Sequence, residues 1–114
     1  MPAWEDVRAL GLALPGVVEE TSYGTPALKV SGKLLARLKE DGETLALRVA
    51  FEERQALVGS SPDVFFVTPH YENYPMVLVR LAAVDLAELR ELLEGAWLER
   101  APKRVAAAWE AARA

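Results

Sequence analysis

Between Ala27 and Val49 the chain reads ALKVSGKLLARLKEDGETLALRV, and no other stretch restricts its fold as strongly. Apolar residues recur at every second position, the period of a strand with one face buried. Leu28 and Val30 point one way, Lys29 and Ser31 the other. Gly32-Lys33 is a tight connection. Beyond it Leu34, Ala36 and Leu38 share one face, with Leu35, Arg37 and Lys39 opposite. Glu40-Asp41-Gly42-Glu43 holds Asp-Gly at the centre of a hairpin turn. Leu45, Leu47, Val49 and Phe51 then form a third strand. Strands joined by connections this short pair antiparallel.

The flanking segments change period. Trp4, Val7, Leu10 and Leu14 recur at helical spacing, with Glu5 and Asp6 in a first turn where the helix dipole favours anions. Leu14-Pro15-Gly16 stops that helix, and Gly24 and Pro26 mark a turn before the first strand. Glu52 to Val58 reads as a short helix closed by Gly59, Val64 to Thr68 as a strand, and Met76 to Leu81 as the last strand. Pro69 to Pro75 contains two prolines and is expected to be an irregular loop. Asp85 and Glu88 suggest a capping box ahead of the stripe Leu86, Leu89, Leu92, Leu93, Ala96 and Trp97. Pro102 fits the first turn of a closing helix with Val105, Ala108, Trp109 and Ala112 inward. The expectation is one domain over residues 1–114, of the α+β class. It has a five-stranded antiparallel sheet with helices packed on one face, in the order α-βββ-α-ββ-αα.

Composition narrows the chemistry. With no cysteine, disulfides, zinc fingers, iron–sulfur ligation and thiol nucleophiles are excluded. Apolar runs are short and broken by charge, which rules out a transmembrane helix. The first ten residues carry Glu5, Asp6 and Arg8 and do not read as a signal peptide, so the cytoplasm is the expected location. One asparagine and one glutamine beside abundant Glu and Arg suggest a heat-adapted source.

Net charge is −4, so any polyanion partner requires a local basic surface. The five expected strands carry cations and no acid. Alternation sends Lys29, Arg37, Lys39, Arg48 and Arg80 to the face away from the helices, where Leu35, Ala46, Ala50 and Leu78 join them. Such a face could bind an anionic partner; equally, long cations coat exposed strands and guard edges, and the apolar members could pair two copies of the chain. Lys103 and Arg104 open the last helix against its dipole, either paired with Glu99 or marking a used surface.

No catalytic constellation is present. His70 is the only histidine, without a cysteine or a nucleophile-elbow serine to activate. Tyr71 and Tyr74 flank it; with Tyr23 the four could line a ligand pocket, or simply pack a loop down. Glu19 and Glu20 are adjacent, so their carboxylates diverge on any regular element, and no metal-ligand spacing surrounds them. Gly32-Lys33 lacks the spacing of a phosphate-binding loop. No catalytic residue, metal site or cofactor is therefore assigned, and the reading is a non-enzymatic binding domain.

The opening LPGVVEETSYGTPALKVSGKLLARL resembles the start of the MmcQ/YjbR-like family of small bacterial proteins, through Leu14, Pro15, Gly16, Val17, Glu19, Glu20, Gly24, Pro26, Gly32 and Lys33. The closing APKRVAAAWEAARA is similar to the family's ending. The resemblance implies a CyaY-like, double-wing α+β fold and a DNA-binding role. On that reading Lys29, Lys33, Arg37, Arg48, Arg80, Lys103 and Arg104 would contact phosphate. The alternatives are a protein-interaction or homodimerisation module built on Leu35 and Leu78, and a small-ligand domain around Tyr23, His70, Tyr71 and Tyr74.

Overall fold

A computed structural model describes residues 2–113. Helix α1 (Trp4–Leu12) leads into four sequential strands, β1 (Val17–Ser22), β2 (Thr25–Val30), β3 (Lys33–Leu38) and β4 (Thr44–Arg48). Helix α2 (Phe51–Ser60), the short β5 (Phe65–Phe66), a 3₁₀ turn at Pro69–Tyr71 and β6 (Met76–Arg80) follow. Helices α3 (Leu86–Arg100) and α4 (Lys103–Arg113) close the chain. All neighbours in the sheet are antiparallel, in the order β1-β2-β3-β4-β6-β5.

The α+β class and the antiparallel sheet are as expected, but the sheet has six strands rather than five, and the expected order omits the first. Strand β1 lies at an edge, and Val17 is its one buried residue. It therefore carries no apolar alternation to read. The turn after it is a two-residue hairpin in which Tyr23 (φ 53°) and Gly24 (φ 82°) both have positive φ. Ser31 (φ 51°) and Gly32 (φ 76°) repeat that geometry between β2 and β3. Positive φ at both central residues gives a turn whose twist matches the flanking strands.

Strand β1 also overturns the expectation that the strands hold no acid, because Glu19 and Glu20 lie within it. Their side chains do diverge. Glu19 faces α1, where it accepts hydrogen bonds from Trp4 Nε1 (3.1 Å) and Arg8 Nε (2.7 Å). The Arg8 and Trp4 hydrogen bonds hold its pKa below the usual carboxylate value. Glu20 faces away and lies 3.6 Å from Lys29 Nζ. The acidic pair thus fastens the edge strand on both sides.

Elsewhere boundaries move for local reasons. Strand β4 stops at Arg48, because the extended backbone at Ala50 is already the cap of α2. Phe51 accordingly opens that helix instead of ending the strand. Strand β5 pairs with β6 only through Phe65 and Phe66. Asp85 caps α3 by position, with no side-chain hydrogen bond, so the expected capping box does not form.

The main core lies between the sheet and the helices. Leu28, Val30, Leu45, Leu47, Val77 and Val79 meet Val7, Leu89, Leu93 and Trp97, with Leu57 and Val58 of α2 and Val105 and Trp109 of α4 packed alongside. Gly11 lets α1 approach closely, since a Cβ there would collide with Leu28 Cδ1. A second, smaller cluster on the opposite sheet face joins Ala46, Met76 and Leu78 with Leu34, Phe66 and Tyr71.

Candidate anion-binding site

One irregularity in the sheet organises this second face. Lys29 pairs with Leu34 while Leu28 pairs with Ala36, so β3 carries Leu35 as an extra residue. Such a bulge shifts side-chain parity within one strand. Leu35 turns to the helix side, where it is fully buried, and Leu34 turns to the other. This reverses the expected faces of both residues. It also removes the apolar patch anticipated on the outer face, because Leu35 belongs to the main core and Leu78 is buried in the second cluster.

The outer face is concave at one end. A cavity of about 640 Å³ is bounded by Tyr23, Lys33, Leu34, Arg37, Lys39, Glu40, Ala46, Arg48, His70, Tyr71, Tyr74, Met76 and Arg100, among others. Small-molecule pockets typically enclose about 300–1,000 Å³. Five cationic side chains face one carboxylate there, on a chain whose net charge is −4.

These cations do different things. Arg37 is buried and committed: Nε donates to Ser22 O (3.0 Å), Nη2 to Glu40 Oε2 (2.6 Å), and its guanidinium lies 5.2 Å from the centre of the Tyr23 ring. It braces the hairpin tip. Lys39 donates to the Tyr71 hydroxyl (3.1 Å) and lies 3.8 Å from Glu40 Oε1. Glu40 is held below the usual carboxylate range, first by its own backbone N–H and then by Arg37.

Arg48 and Arg100 differ from both. Each has a buried Nε without a hydrogen-bond partner, and neither forms an ion pair among the described residues. Burial lowers the pKa of Arg48, and the charge of Arg100 lowers it further against the opposing pull of Glu99. Two guanidinium groups are thus held near each other, partly desolvated and in no ion pair among the described residues. Buried polar atoms in folded proteins are usually satisfied, and an anion between these two would satisfy them. Sequence reasoning missed Arg100, since an arginine in a last helical turn reads as a favourable partner for the dipole.

Arg54, on α2, was also missed. Its Nη1 donates to the carbonyls of Tyr71 (3.1 Å), Tyr74 (2.9 Å) and Met76 (3.2 Å), and Nη2 to that of Glu72 (2.9 Å). One side chain therefore shapes the loop that presents His70, Tyr71 and Tyr74. Within it His70 meets Tyr71 edge-on at 4.9 Å and tilts toward Tyr74 at 6.1 Å. Arg54→Met should release this wall, with amide exchange at residues 71–76 accelerating at least about ten-fold, as expected for losing a charge-assisted contact of ~1.5–3 kcal/mol. Unchanged exchange there would show that the loop holds itself.

The structure therefore divides the candidate residues. Lys33, Arg37 and Arg48 join all four pocket residues, Tyr23, His70, Tyr71 and Tyr74, around one cavity. Lys29 is taken up by Glu20. Arg80 lies at the far end of the β4–β6 pair, donating to Pro62 O and Asp63 O with its guanidinium 4.1 Å from the Phe66 ring centre. Lys103 and Arg104 are exposed on α4, away from the cavity, and make no ion pair with Glu99 or another acid among the described residues. The strand cations expected to share one face do not converge as a set: Arg37 and Arg48 meet at one corner with Lys33, Lys39 and Arg100, while Lys29 and Arg80 lie off it. Among the described residues no three His, Asp or Glu side chains converge as metal ligands, and no helix is long and apolar enough to cross a membrane.

The chain is an α+β domain, with an antiparallel sheet, helices packed against its main core and a cation- and tyrosine-lined hollow on the opposite face. The YjbR family model matches residues 12–99. Proteins of Mycobacterium tuberculosis and Mycobacterium bovis are 33% identical over 96% of both chains. The crystal structure of Deinococcus radiodurans protein DR2400, a DUF419 domain, superposes with a TM-score of 0.75 at 26% identity, covering 87% of this chain and 78% of that one. The chain belongs to the YjbR family, as its opening segment suggests; the closing segment lies beyond the matched residues.

Proposed function

We propose that this protein is a non-enzymatic binding domain whose outer-face cavity takes a small anionic ligand. The observation that supports this reading best is the Arg48–Arg100 pair, each with a buried Nε that has no hydrogen-bond partner, in a hollow of ligand size. Folding alone favours no such pair, because each desolvated charge costs stability until an anion meets it.

The duplex-DNA reading asks seven cations to act together. Four of them, Lys29, Arg80, Lys103 and Arg104, lie off the cavity, and Arg37 is occupied by protein oxygens. A concave, local footprint suits a compact anion better than a duplex, whose smallest modules bury about 600–1,000 Å² of protein.

Thermal unfolding across a phosphate titration at constant ionic strength tests the proposal. The midpoint should rise saturably with phosphate, and by the same amount in a Lys103→Gln/Arg104→Gln variant. A response equal to that of chloride would overturn it. Loss of the response in the Lys103/Arg104 variant would instead favour an extended nucleic-acid surface.

A further inference from the structure

We propose, resting on the anion-site reading above, that the ligand is a phosphorylated nucleoside, its phosphate between Arg48 and Arg100 and its base against Tyr23 and Tyr74. The two tyrosines carry this step. Tyr23 is 89% exposed and sits at positive φ, a backbone conformation uncommon for a bulky aromatic residue. Asparagine or glycine would suit that hairpin position better, and the ring adds nothing to either apolar cluster. The fold alone therefore does not account for it.

Its position is nevertheless held. Arg37, which lies 5.2 Å from the ring centre, is itself fixed by Ser22 O and Glu40. Tyr74 is 56% exposed, and Arg54 fixes its carbonyl. Both exposed rings border the cavity that contains the arginine pair, with Leu34, Ala46 and Met76 supplying apolar lining. A bare inorganic anion would use the guanidiniums and leave these rings idle. A flat base has a π-face for a tyrosine, and a phosphate monoester has enough oxygens to accept from two guanidinium forks. Free nucleotides and the 5′-phosphorylated end of a strand share this chemistry.

Calorimetric titration of the intact protein with inorganic phosphate, ribose 5-phosphate, AMP and a 5′-phosphorylated trinucleotide tests the proposal. AMP should bind about ten-fold tighter than ribose 5-phosphate, the margin one stacked base supplies. Tyr23→Ala and Tyr74→Ala should each reduce that margin while leaving ribose 5-phosphate affinity unchanged, and Tyr23→Phe should preserve it. A trinucleotide that matches AMP assigns the site to strand ends, and a weaker one assigns it to free nucleotides. Equal binding of AMP and ribose 5-phosphate overturns the nucleoside proposal and leaves the anion site standing. Failure of all four ligands removes both.

Discussion

Arg48→Leu should make the ligand-free protein more stable and at the same time weaken its response to phosphate by at least about ten-fold in concentration. Leucine keeps an apolar stem at the end of β4 but removes a guanidinium with a buried, unpartnered Nε beside Arg100. Unsatisfied buried donors cost about 1–3 kcal/mol, and exchanging such charges for apolar groups is often neutral or stabilising. Solvent reaches part of this side chain, so the gain should lie near ~1 kcal/mol, or roughly 4 °C in the midpoint for a domain of this size. Phosphate affinity should fall by about 10- to 150-fold, the equivalent of a charge-assisted hydrogen bond worth ~1.5–3 kcal/mol. Arg100→Leu should behave alike. The two stability gains should not add, because either change relieves the same repulsion. Thermal melts with and without phosphate measure both effects. A destabilised Arg48→Leu protein that answers to phosphate at the same concentrations as the parent would make Arg48 structural and remove the site.

The second large effect concerns the scaffold. Trp97→Ala should cost about 3–5 kcal/mol, against a total stability of ~5–15 kcal/mol for a domain of this kind. Trp97 is fully buried on α3 and meets Trp109 of α4 edge-on at 5.1 Å. Its Nε1 donates to Pro15 O at 2.9 Å, tying α3 to the connection between α1 and β1. Alanine removes the ring and leaves that carbonyl without its partner. Urea unfolding followed by circular dichroism should show the midpoint falling steeply. Trp97→Phe, which keeps an aromatic ring but no donor, should lose about 1–2 kcal/mol. A cost under 1 kcal/mol for the alanine variant would mean that the helical layer repacks freely.

Both predictions depend on features of different legibility. The stripe containing Trp97 is visible in the sequence, because helical period alone places Leu89, Leu93, Ala96 and Trp97 together. Its hydrogen bond to Pro15 is not, since no local rule joins the end of one helix to the stop of another. The four aromatic pocket residues could be grouped in advance as a candidate site, with His70, Tyr71 and Tyr74 in one loop and Tyr23 at a turn. Arg48 was visible as an outward strand cation, whereas Arg100 was hidden within an ordinary helix ending.

Alternation failed at two places, each for a physical reason. An edge strand with a single buried residue carries no apolar period, so β1 gives no strand signal in the sequence. A bulge changes parity without changing the residue pattern, so Leu34 and Leu35 were assigned to exchanged faces. The charge layout suffered accordingly: Glu20, arriving with β1, pairs with Lys29 on the face whose charges were expected to be all cationic, among the apolar residues.

What the amino-acid order determines by itself is local: that the backbone turns near Gly24 and Gly32, though one residue earlier than the expected Gly32-Lys33 in the second case, which segments take a strand or helix period, and which family the chain enters. Only the tertiary structure decided which cations are paired. Arg37, Lys29 and Arg80 found oxygens nearby, while Arg48 and Arg100 were brought together from a strand and a helix, each with a buried Nε lacking a partner and neither in an ion pair among the described residues. A side chain's charge is written in the sequence; its compensation depends on neighbours distant along the chain, and packing alone selects them.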